Sequence, residues 1–81
     1  MPEVVLYGKA GCCLCDEARA EIEAVRARHP FDLLEIDVSL DPVLNNRYGE
    51  RIPVVAVDGV EAFEFHVQAD DLERLLGTVD A

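Results

Sequence analysis

The sequence predicts an α/β fold in which a four-stranded mixed sheet carries helices on both faces. Apolar runs of strand composition alternate with segments of helical periodicity in the order β-α-β-α-β-β-α. A helical segment separates the first two strands, which indicates a parallel pair with a right-handed crossover. Asp58-Gly59 separates the last two strands, and this dipeptide is typical of a tight antiparallel hairpin.

The first strand and the first helix have the clearest patterns. Residues 4–7 (VVLY) form a β-branched and aromatic run that ends at Gly8. From Cys15 onward, apolar positions recur with helical spacing at Ala18, Ile22, Val25 and, roughly, His29. Pro30 predicts the end of this helix, because the residue before a proline disfavours helical geometry.

The second strand and the second helix follow directly. Residues 31–38 are predicted to form a strand with Leu34, Ile36 and Val38 on one face. Asp41-Pro42 is typical of a helix start, with a capping side chain followed by proline at the first helical position. Gly49 predicts where this short helix ends.

A hairpin and a third helix complete the chain. The hairpin strands are predicted over residues 53–57 and 60–65, and the helix over residues 68–76. This helix should bury three leucines and end at Gly77. The leucines are Leu72, Leu75 and Leu76.

This order of elements is that of the thioredoxin-like architecture. The competing ferredoxin-like order, β-α-β-β-α-β, needs a final strand, and none is predicted after Leu76. The chain of 81 residues is short, so we expect residues 1–81 to form one small domain with little stability to spare.

Charge and hydropathy exclude several functions. Seven basic and seventeen acidic residues give a net charge of −10, which argues against nucleic acid or an anionic membrane as partner. The apolar runs are too short to span a bilayer. Met1-Pro2-Glu3 lacks the positive charge of a secretory signal. We therefore expect a monomer in the cytoplasm.

Three cysteines lie within four residues, at Cys12, Cys13 and Cys15. A secreted disulfide scaffold would join distant segments, which this cluster cannot do. At a helix start, the leading sulfur of a C-x-x-C pair faces unpaired backbone N–H groups and the positive end of the helix dipole, and both favour the thiolate. Cys12 is thus the predicted nucleophile and Cys15 the resolving thiol.

The residues around the pair leave some points open. Lys9 adds positive charge near the sulfurs, whereas the Asp16-Glu17 pair opposes it. A bridge between the adjacent Cys12 and Cys13 would strain the backbone, so Cys13 is interpreted as a small, partly buried residue on the first helical turn. The alternatives are a spare thiol that exchanges with Cys12 and a third metal ligand.

Metal binding is the main alternative for the cysteine cluster. Three soft thiolates could hold copper(I) or zinc, and a closed zinc site would need a fourth ligand. His29 lies roughly 20 Å away along the helix, at 1.5 Å per residue, and is too far. His66 ends the last strand, where a lone histidine is more often a surface or turn residue.

Two segments resemble the glutaredoxin-like proteins of the thioredoxin superfamily. Residues 6–18 (LYGKAGCCLCDEA) resemble the active-site segment, in particular that of a short bacterial group, and residues 48–55 (YGERIPVV) resemble the second signature of that group. The resemblance implies that Cys12 is the nucleophile and Cys15 the resolving cysteine. It also implies that Pro53 is a cis-proline facing the dithiol.

The resemblance also suggests how a substrate is held. A cis bond at Pro53 would expose the backbone of Ile52 for pairing with an extended thiol substrate, and Lys9 and Arg51 are candidate anion contacts. Glutathione-using relatives carry a Gly-Gly pair after the hairpin, where this chain has Phe63-Glu64. A carboxylate there would repel glutathione, so glutathione is not the expected partner.

These observations predict a dithiol-disulfide oxidoreductase that reduces protein or small-molecule disulfides. No tightly bound cofactor and no resident metal are expected, and a low-molecular-weight thiol or a reductase should donate the electrons. The partners would be disulfide-containing proteins or small thiols. The alternatives are a metal-thiolate carrier using Cys12, Cys13 and Cys15, and a module that only binds a partner.

Overall fold

The computed structural model describes residues 2–80, and the side chains of residues 2–76. Its elements follow the predicted order. They are β1 (Glu3–Gly8), α1 (Cys13–Arg26), β2 (Asp32–Asp37), a 3-10 turn (Val38–Leu40), α2 (Pro42–Tyr48), β3 (Val54–Val57), β4 (Val60–Glu64) and α3 (Ala69–Asp80).

The four strands form one mixed sheet in the order β2-β1-β3-β4. β1 and β2 run parallel through the α1 crossover, while β3 is antiparallel to both β1 and β4. The β3–β4 turn has positive φ at both central residues, 50° at Asp58 and 86° at Gly59. These values are those of the tight turn that the Asp-Gly pair predicts.

The main core lies between one face of the sheet and the helices α1 and α3. α1 presents to it the periodic residues Ala18, Ile22 and Val25, each at most 2% exposed. From α3 it receives Leu72 and Leu76, at 0% and 1%. Full burial of such a side chain contributes roughly 1.5–3 kcal/mol, so this face accounts for most of the apolar stabilisation.

A second, smaller buried cluster lies at the cysteine end of the sheet. It contains Cys15 together with Val38, Tyr48, Ile52 and Val54. α2 brings Tyr48 into this cluster, and its start is as predicted, since Asp41 Oδ1 accepts hydrogen bonds from the Val43 and Leu44 N–H groups. The dithiol segment is therefore anchored from both sides of the sheet.

Two predictions about the first half of the chain are wrong. α1 ends at Arg26, so His29 lies outside the helix, and its Nε2 lies 3.0 Å from Glu73 Oε1. Leu34 was expected on the buried face of the second strand but is 52% exposed. β2 is an edge strand, and the short α2 covers only part of that sheet face.

The last helix also differs from its prediction. α3 continues to Asp80, so Gly77 lies within it and does not cap it. Leu75 is 39% exposed, whereas Leu72 and Leu76, four residues apart on one face of α3, are buried. Within the described part of the chain, none of the helices combines the length and the apolar character needed to cross a membrane.

Candidate functional site

The three cysteines lie where β1 passes into α1. Gly11, with φ of 80°, turns the chain after β1, and Cys12 is the N-cap of α1 with extended backbone angles. The Cys15 N–H donates to Cys12 Sγ at 3.2 Å. Cys12 thus takes the capping position, which serine or aspartate more often fills, and its sulfur contacts a free N–H of the first turn, as the sequence predicts.

The three thiols differ in their access to solvent. Cys12 is partly exposed, Cys13 is exposed and Cys15 is buried, at 2%. Cys15 lies on the same helical face as Ala18 and Ile22, which explains its burial. Only Cys12 and Cys13 are therefore open to an approaching disulfide.

Burial holds Cys15 in its protonated form. Desolvation is the largest cause that raises the pKa of Cys15 to about 11, and the hydrogen bond with Cys12 adds to it. A hydrogen bond from the Lys9 backbone and the charge of Arg19 act in the opposite direction. At neutral pH the Cys15 thiol is therefore protonated as long as it shares the hydrogen bond with Cys12.

We predict that the reduced protein loses stability as the pH rises from about 9 to about 11. The pKa of Cys15 is raised from 9.0 to about 11 on folding, so the folded chain binds this proton more tightly than the unfolded chain does. The resulting stabilisation is complete below pH 9 and is lost as the pH passes through 11. It amounts to on the order of 2 kcal/mol.

Urea unfolding of the reduced protein at several pH values from 8 to 11 measures this effect. Cys15→Ala serves as the control, because it lacks the thiol and keeps the other titrating groups. Wild type should lose stability more steeply than Cys15→Ala. Parallel pH profiles would show that the Cys15 proton does not contribute.

Gly8 allows Cys15 to pack against the end of β1. A Cβ placed on Gly8 would lie 2.9 Å from Cys15 Sγ and 3.3 Å from Cys15 Cβ. Carbon and sulfur atoms that are not bonded to each other do not approach to 2.9 Å without displacement. Any side chain at position 8 would therefore push the buried thiol out of place.

A groove of about 320 Å³, the Cys15 groove, opens beside the buried thiol. It is bounded by Gly8, Lys9, Cys15, Arg19, Glu35 and Asp37, among others. Arg19 pairs with Asp16 and Glu35, which ties α1 to β2. Hydrogen bonds from Ser39 hold the pKa of Asp37 below its usual value. The groove beside Cys15 therefore has a charged lining.

A tyrosine pair that the sequence analysis missed lies on the other side of the dithiol. The rings of Tyr7 and Tyr48 stack with centroids 4.3 Å apart, and Tyr7 packs, together with Cys12, against the cluster that contains Cys15. Burial and the neighbouring Tyr48 raise the pKa of Tyr7. Strand alternation alone could have assigned Tyr7 to this face, but α2 has too weak a pattern to reveal Tyr48.

The four predicted substrate contacts lie in three different surroundings. Ile52 joins the Cys15 cluster and Pro53 is buried beside it, with a cis peptide bond between them. Lys9 is exposed at the Cys15 groove. Arg51 pairs instead with two carboxylates of β4.

Arg51 is already engaged within the protein. Its guanidinium donates to Glu61 at 3.2 Å and to Glu64 at 3.0 Å. It also lies 5.4 Å from the centre of the Tyr48 ring. The carboxylates raise the pKa of Arg51. Both carboxylates belong to β4, and the same guanidinium donates to the Arg47 carbonyl of α2, so Arg51 holds β4 against the end of α2.

The two histidines considered as metal ligands lie apart. His29 pairs with Glu73, and His66 lines a different groove together with Leu14. Over residues 2–76, no three cysteine, histidine or acidic side chains come together as a metal site would require. Cys13 lies on the first turn of α1 as predicted, but it is exposed and not partly buried.

Comparison with known proteins decides the family. Residues 3–77 match the family described as Glutaredoxin-like domain (DUF836). The chain belongs to this family. An uncharacterised protein of Mycobacterium tuberculosis is 34% identical to this glutaredoxin-like chain over 65 residues, which make up 74% of the chain and 67% of the relative. An uncharacterised protein of Mycobacterium bovis matches equally well.

Solved structures confirm the thioredoxin-like fold of this family member. A structural-genomics target from X. campestris superimposes with a TM-score of 0.78 at 24% identity, over 93% of this chain and 96% of that one. A protein of Nitrosomonas europaea gives 0.79 at 25% identity, over 91% and 89%. A chloroplastic thioredoxin z gives 0.80 at 18% identity, over 99% and 79%.

Proposed function

We propose that this glutaredoxin-like chain is a dithiol-disulfide oxidoreductase in which Cys12 attacks and Cys15 resolves. The observation that carries the proposal is the asymmetry of the pair. Cys12 caps α1 with its sulfur partly exposed and contacted by the Cys15 N–H, whereas the Cys15 thiol is buried behind it. Two thiols in such different surroundings suit two successive chemical roles.

The reaction transfers two electrons from the dithiol to the substrate. The Cys12 thiolate attacks one sulfur of the substrate disulfide, a mixed disulfide forms, and the other substrate sulfur leaves with its electron pair and takes up a proton. Cys15 then loses its proton and attacks Cys12 Sγ. The second substrate thiol leaves and is protonated, and Cys12 and Cys15 remain joined as a disulfide.

The pKa of Cys15 orders these two steps. Since burial raises it to about 11, Cys15 stays protonated while Cys12 reacts. Once Cys12 has formed a disulfide it no longer shares a hydrogen bond with the Cys15 thiol, and one cause of the raised pKa is gone. The resolving thiol therefore becomes more acidic when it is needed.

An external reductant must restore the dithiol, and we propose a low-molecular-weight thiol other than glutathione, or a reductase. At the positions of the Gly-Gly pair of glutathione-using relatives, Phe63 packs against the main core and Glu64 places a carboxylate that pairs with Arg51, so the open backbone of a glycine pair is absent and a negative charge takes its place. The net charge of −10 also opposes glutathione, which is an anion.

The remaining assignments follow from this chemistry. Lys9, Ile52 and Pro53 are the proposed substrate contacts, with Arg51 limited to the edge of the site by its two carboxylate partners. We propose a cytoplasmic monomer, because free thiols persist in a reducing compartment. The proposed partners are disulfide-containing proteins or small thiols, and neither nucleic acid nor membrane.

A trapping experiment tests the proposal. Cys15→Ser should accumulate a mixed disulfide on Cys12 when it is incubated with hydroxyethyl disulfide or a cell extract, and intact-mass spectrometry should find one adduct per chain. Cys12→Ser should form no such adduct at position 15, since that thiol is buried. Equal adduct formation in both variants would contradict the assigned roles.

Cys13→Ser in the Cys15→Ser background is the matched control. It removes the other exposed thiol, so an adduct that persists in this double variant is on Cys12. Loss of the adduct in the double variant would move the attacking role to Cys13.

A further inference from the structure

A second groove lies on the side of α1 away from Arg19, and the proposed dithiol-disulfide exchange does not use it. We call it the Phe65 groove. It measures about 330 Å³, and its apolar lining comes from Leu14, Ala18, Phe65 and Val67. Leu14 lies between Cys13 and Cys15 in the chain, so one end of the groove adjoins the dithiol.

Phe65 is held in this groove in a conformation that aromatic residues rarely adopt. Its φ is 66°, and a bulky side chain is disfavoured there. The Phe65 N–H donates to the Pro53 carbonyl at 2.8 Å, which ties it to the loop beside the dithiol. The side chain is nevertheless 42% exposed. An apolar ring is thus presented to solvent next to the reactive end of α1.

Two carboxylates line the groove, beside the imidazole of His66. Glu17 and Glu21, one helical turn apart, both contribute to it. In the part of the chain whose side chains are described, neither carboxylate has a hydrogen bond or an ion pair.

The arginines of the protein do not compensate these two carboxylates. Five of the six pair with other acidic residues, and Arg47 lies against the Tyr48 ring. Lys9 lines the Cys15 groove and not this one. The Phe65 groove therefore combines an apolar lining with two carboxylates that form no ion pair among the residues whose side chains are described.

We propose that the Phe65 groove docks a basic segment of a disulfide-bearing polypeptide. Phe65 would contact an apolar side chain just before the substrate cysteine. Glu17 and Glu21 would face basic side chains that follow the cysteine. This inference rests on the proposed function, because it names the class of substrate that reaches Cys12.

Charge complementarity selects this occupant over the alternatives. A second copy of the chain carries the same net charge of −10 and is repelled at low ionic strength. Small anionic thiols are repelled by the same carboxylates. A basic polypeptide is attracted both by the groove and by the charge of the whole molecule.

Matched peptide substrates test the proposal. One peptide contains Phe-Cys-Arg-Arg, a second Phe-Cys-Glu-Glu and a third Ser-Cys-Arg-Arg, each with its cysteine joined to mercaptoethanol as a mixed disulfide. At low salt the first should be reduced about tenfold faster than the second. At about 1 M salt this ratio should fall to about twofold, because the charges are then screened.

Charge variants localise the effect to the groove. The double variant Glu17→Gln/Glu21→Gln should reduce the tenfold ratio to about twofold. The control Glu3→Gln/Asp32→Asn changes the net charge equally, at two exposed residues that face each other at the opposite end of β1 and β2. This control should leave the ratio nearly unchanged, and an equal loss in both variants would overturn the docking site.

Phe65→Gly tests the apolar contact. Glycine accepts a positive φ without strain, so the backbone is retained while the ring is removed. This variant should reduce Phe-Cys-Arg-Arg and Ser-Cys-Arg-Arg at equal rates, whereas the wild type should prefer the first severalfold. An unchanged preference would remove Phe65 from the proposal.

Two further measurements separate this inference from the proposed function. The rate with hydroxyethyl disulfide, which is small and uncharged, reports the dithiol chemistry alone. Fluorescence anisotropy with labelled peptides in which serine replaces cysteine reports docking alone. Reduction of hydroxyethyl disulfide without charge preference would overturn the groove only, whereas charge-dependent binding without any reduction would overturn the chemistry only.

Discussion

Replacing Cys12 with serine will lower the rate of disulfide reduction by roughly a thousandfold or more. A serine hydroxyl does not ionise at neutral pH and cannot form a disulfide, so the first step is lost. Cys15 cannot take over, because it is buried and its pKa is raised to about 11. Reduction of hydroxyethyl disulfide, coupled to a chemical dithiol as electron donor, measures the rate.

Cys13→Ser is the control for this loss. The Cys13 side chain is exposed at the surface of α1, and its removal should change the rate less than about twofold. Urea unfolding of both variants should show a fold of similar stability, since serine is itself a favoured capping residue at position 12. Retention of full activity in Cys12→Ser would end the dithiol mechanism.

Gly8→Ala is expected to have the second largest effect, on both stability and chemistry. The added Cβ would lie 2.9 Å from Cys15 Sγ, and overpacking of a buried site costs roughly 1–3 kcal/mol. Because the displaced sulfur is the resolving thiol, the second step should also slow. A longer-lived mixed disulfide on Cys12, seen by mass spectrometry after rapid quenching, would report this delay.

A double-mutant cycle identifies the cause of the Gly8 effect. Cys15→Ala removes the sulfur and leaves the Cβ, which lies at the more tolerable distance of 3.3 Å from the new atom. Gly8→Ala should therefore destabilise the Cys15→Ala protein by less than it destabilises the wild type, with a coupling of about 1 kcal/mol. Additive effects would mean that the cost comes from the strand backbone and not from the contact with Cys15.

The two grooves beside α1 would serve different steps of the reaction. The Cys15 groove places Lys9 and Arg19 beside the proposed resolving thiol, whereas the Phe65 groove adjoins the N-terminal end of α1 and is lined by Glu17 and Glu21, which form no ion pair among the residues whose side chains are described. A substrate docked in the second groove would leave the first open. Proton release from Cys15 could then proceed while the substrate is bound.

Local features could be predicted from the sequence because neighbouring residues alone determine them. The Asp58-Gly59 turn needs positive φ at adjacent positions, and this pair supplies it. Asp41 caps α2 through N–H groups two and three residues further on. The relation between Cys12 and Cys15 is also local, since one helical turn separates the two residues.

Features that depend on a distant partner could not be predicted from the local sequence. Leu34 matched the strand pattern but lies on an edge strand that α2 covers only in part. Arg51 resembled an anion contact, whereas β4 brings Glu61 and Glu64 to its guanidinium. Nothing in its immediate sequence reveals these partners, because they lie ten and thirteen residues away.

The sequence by itself thus determined the order of the elements and the position of the Cys12-x-x-Cys15 pair at a helix start, because both follow from spacing within one turn or one strand. The family followed from the resemblance of two segments, and the family match confirms it. Only the tertiary structure decided which thiol is buried, that Gly8 must lack a side chain, and that the exposed ring of Phe65 lies in one groove with Glu17 and Glu21. The physical reason is that burial, close approach and uncompensated charge are properties of surfaces brought together by folding. Spacing along the chain does not encode them.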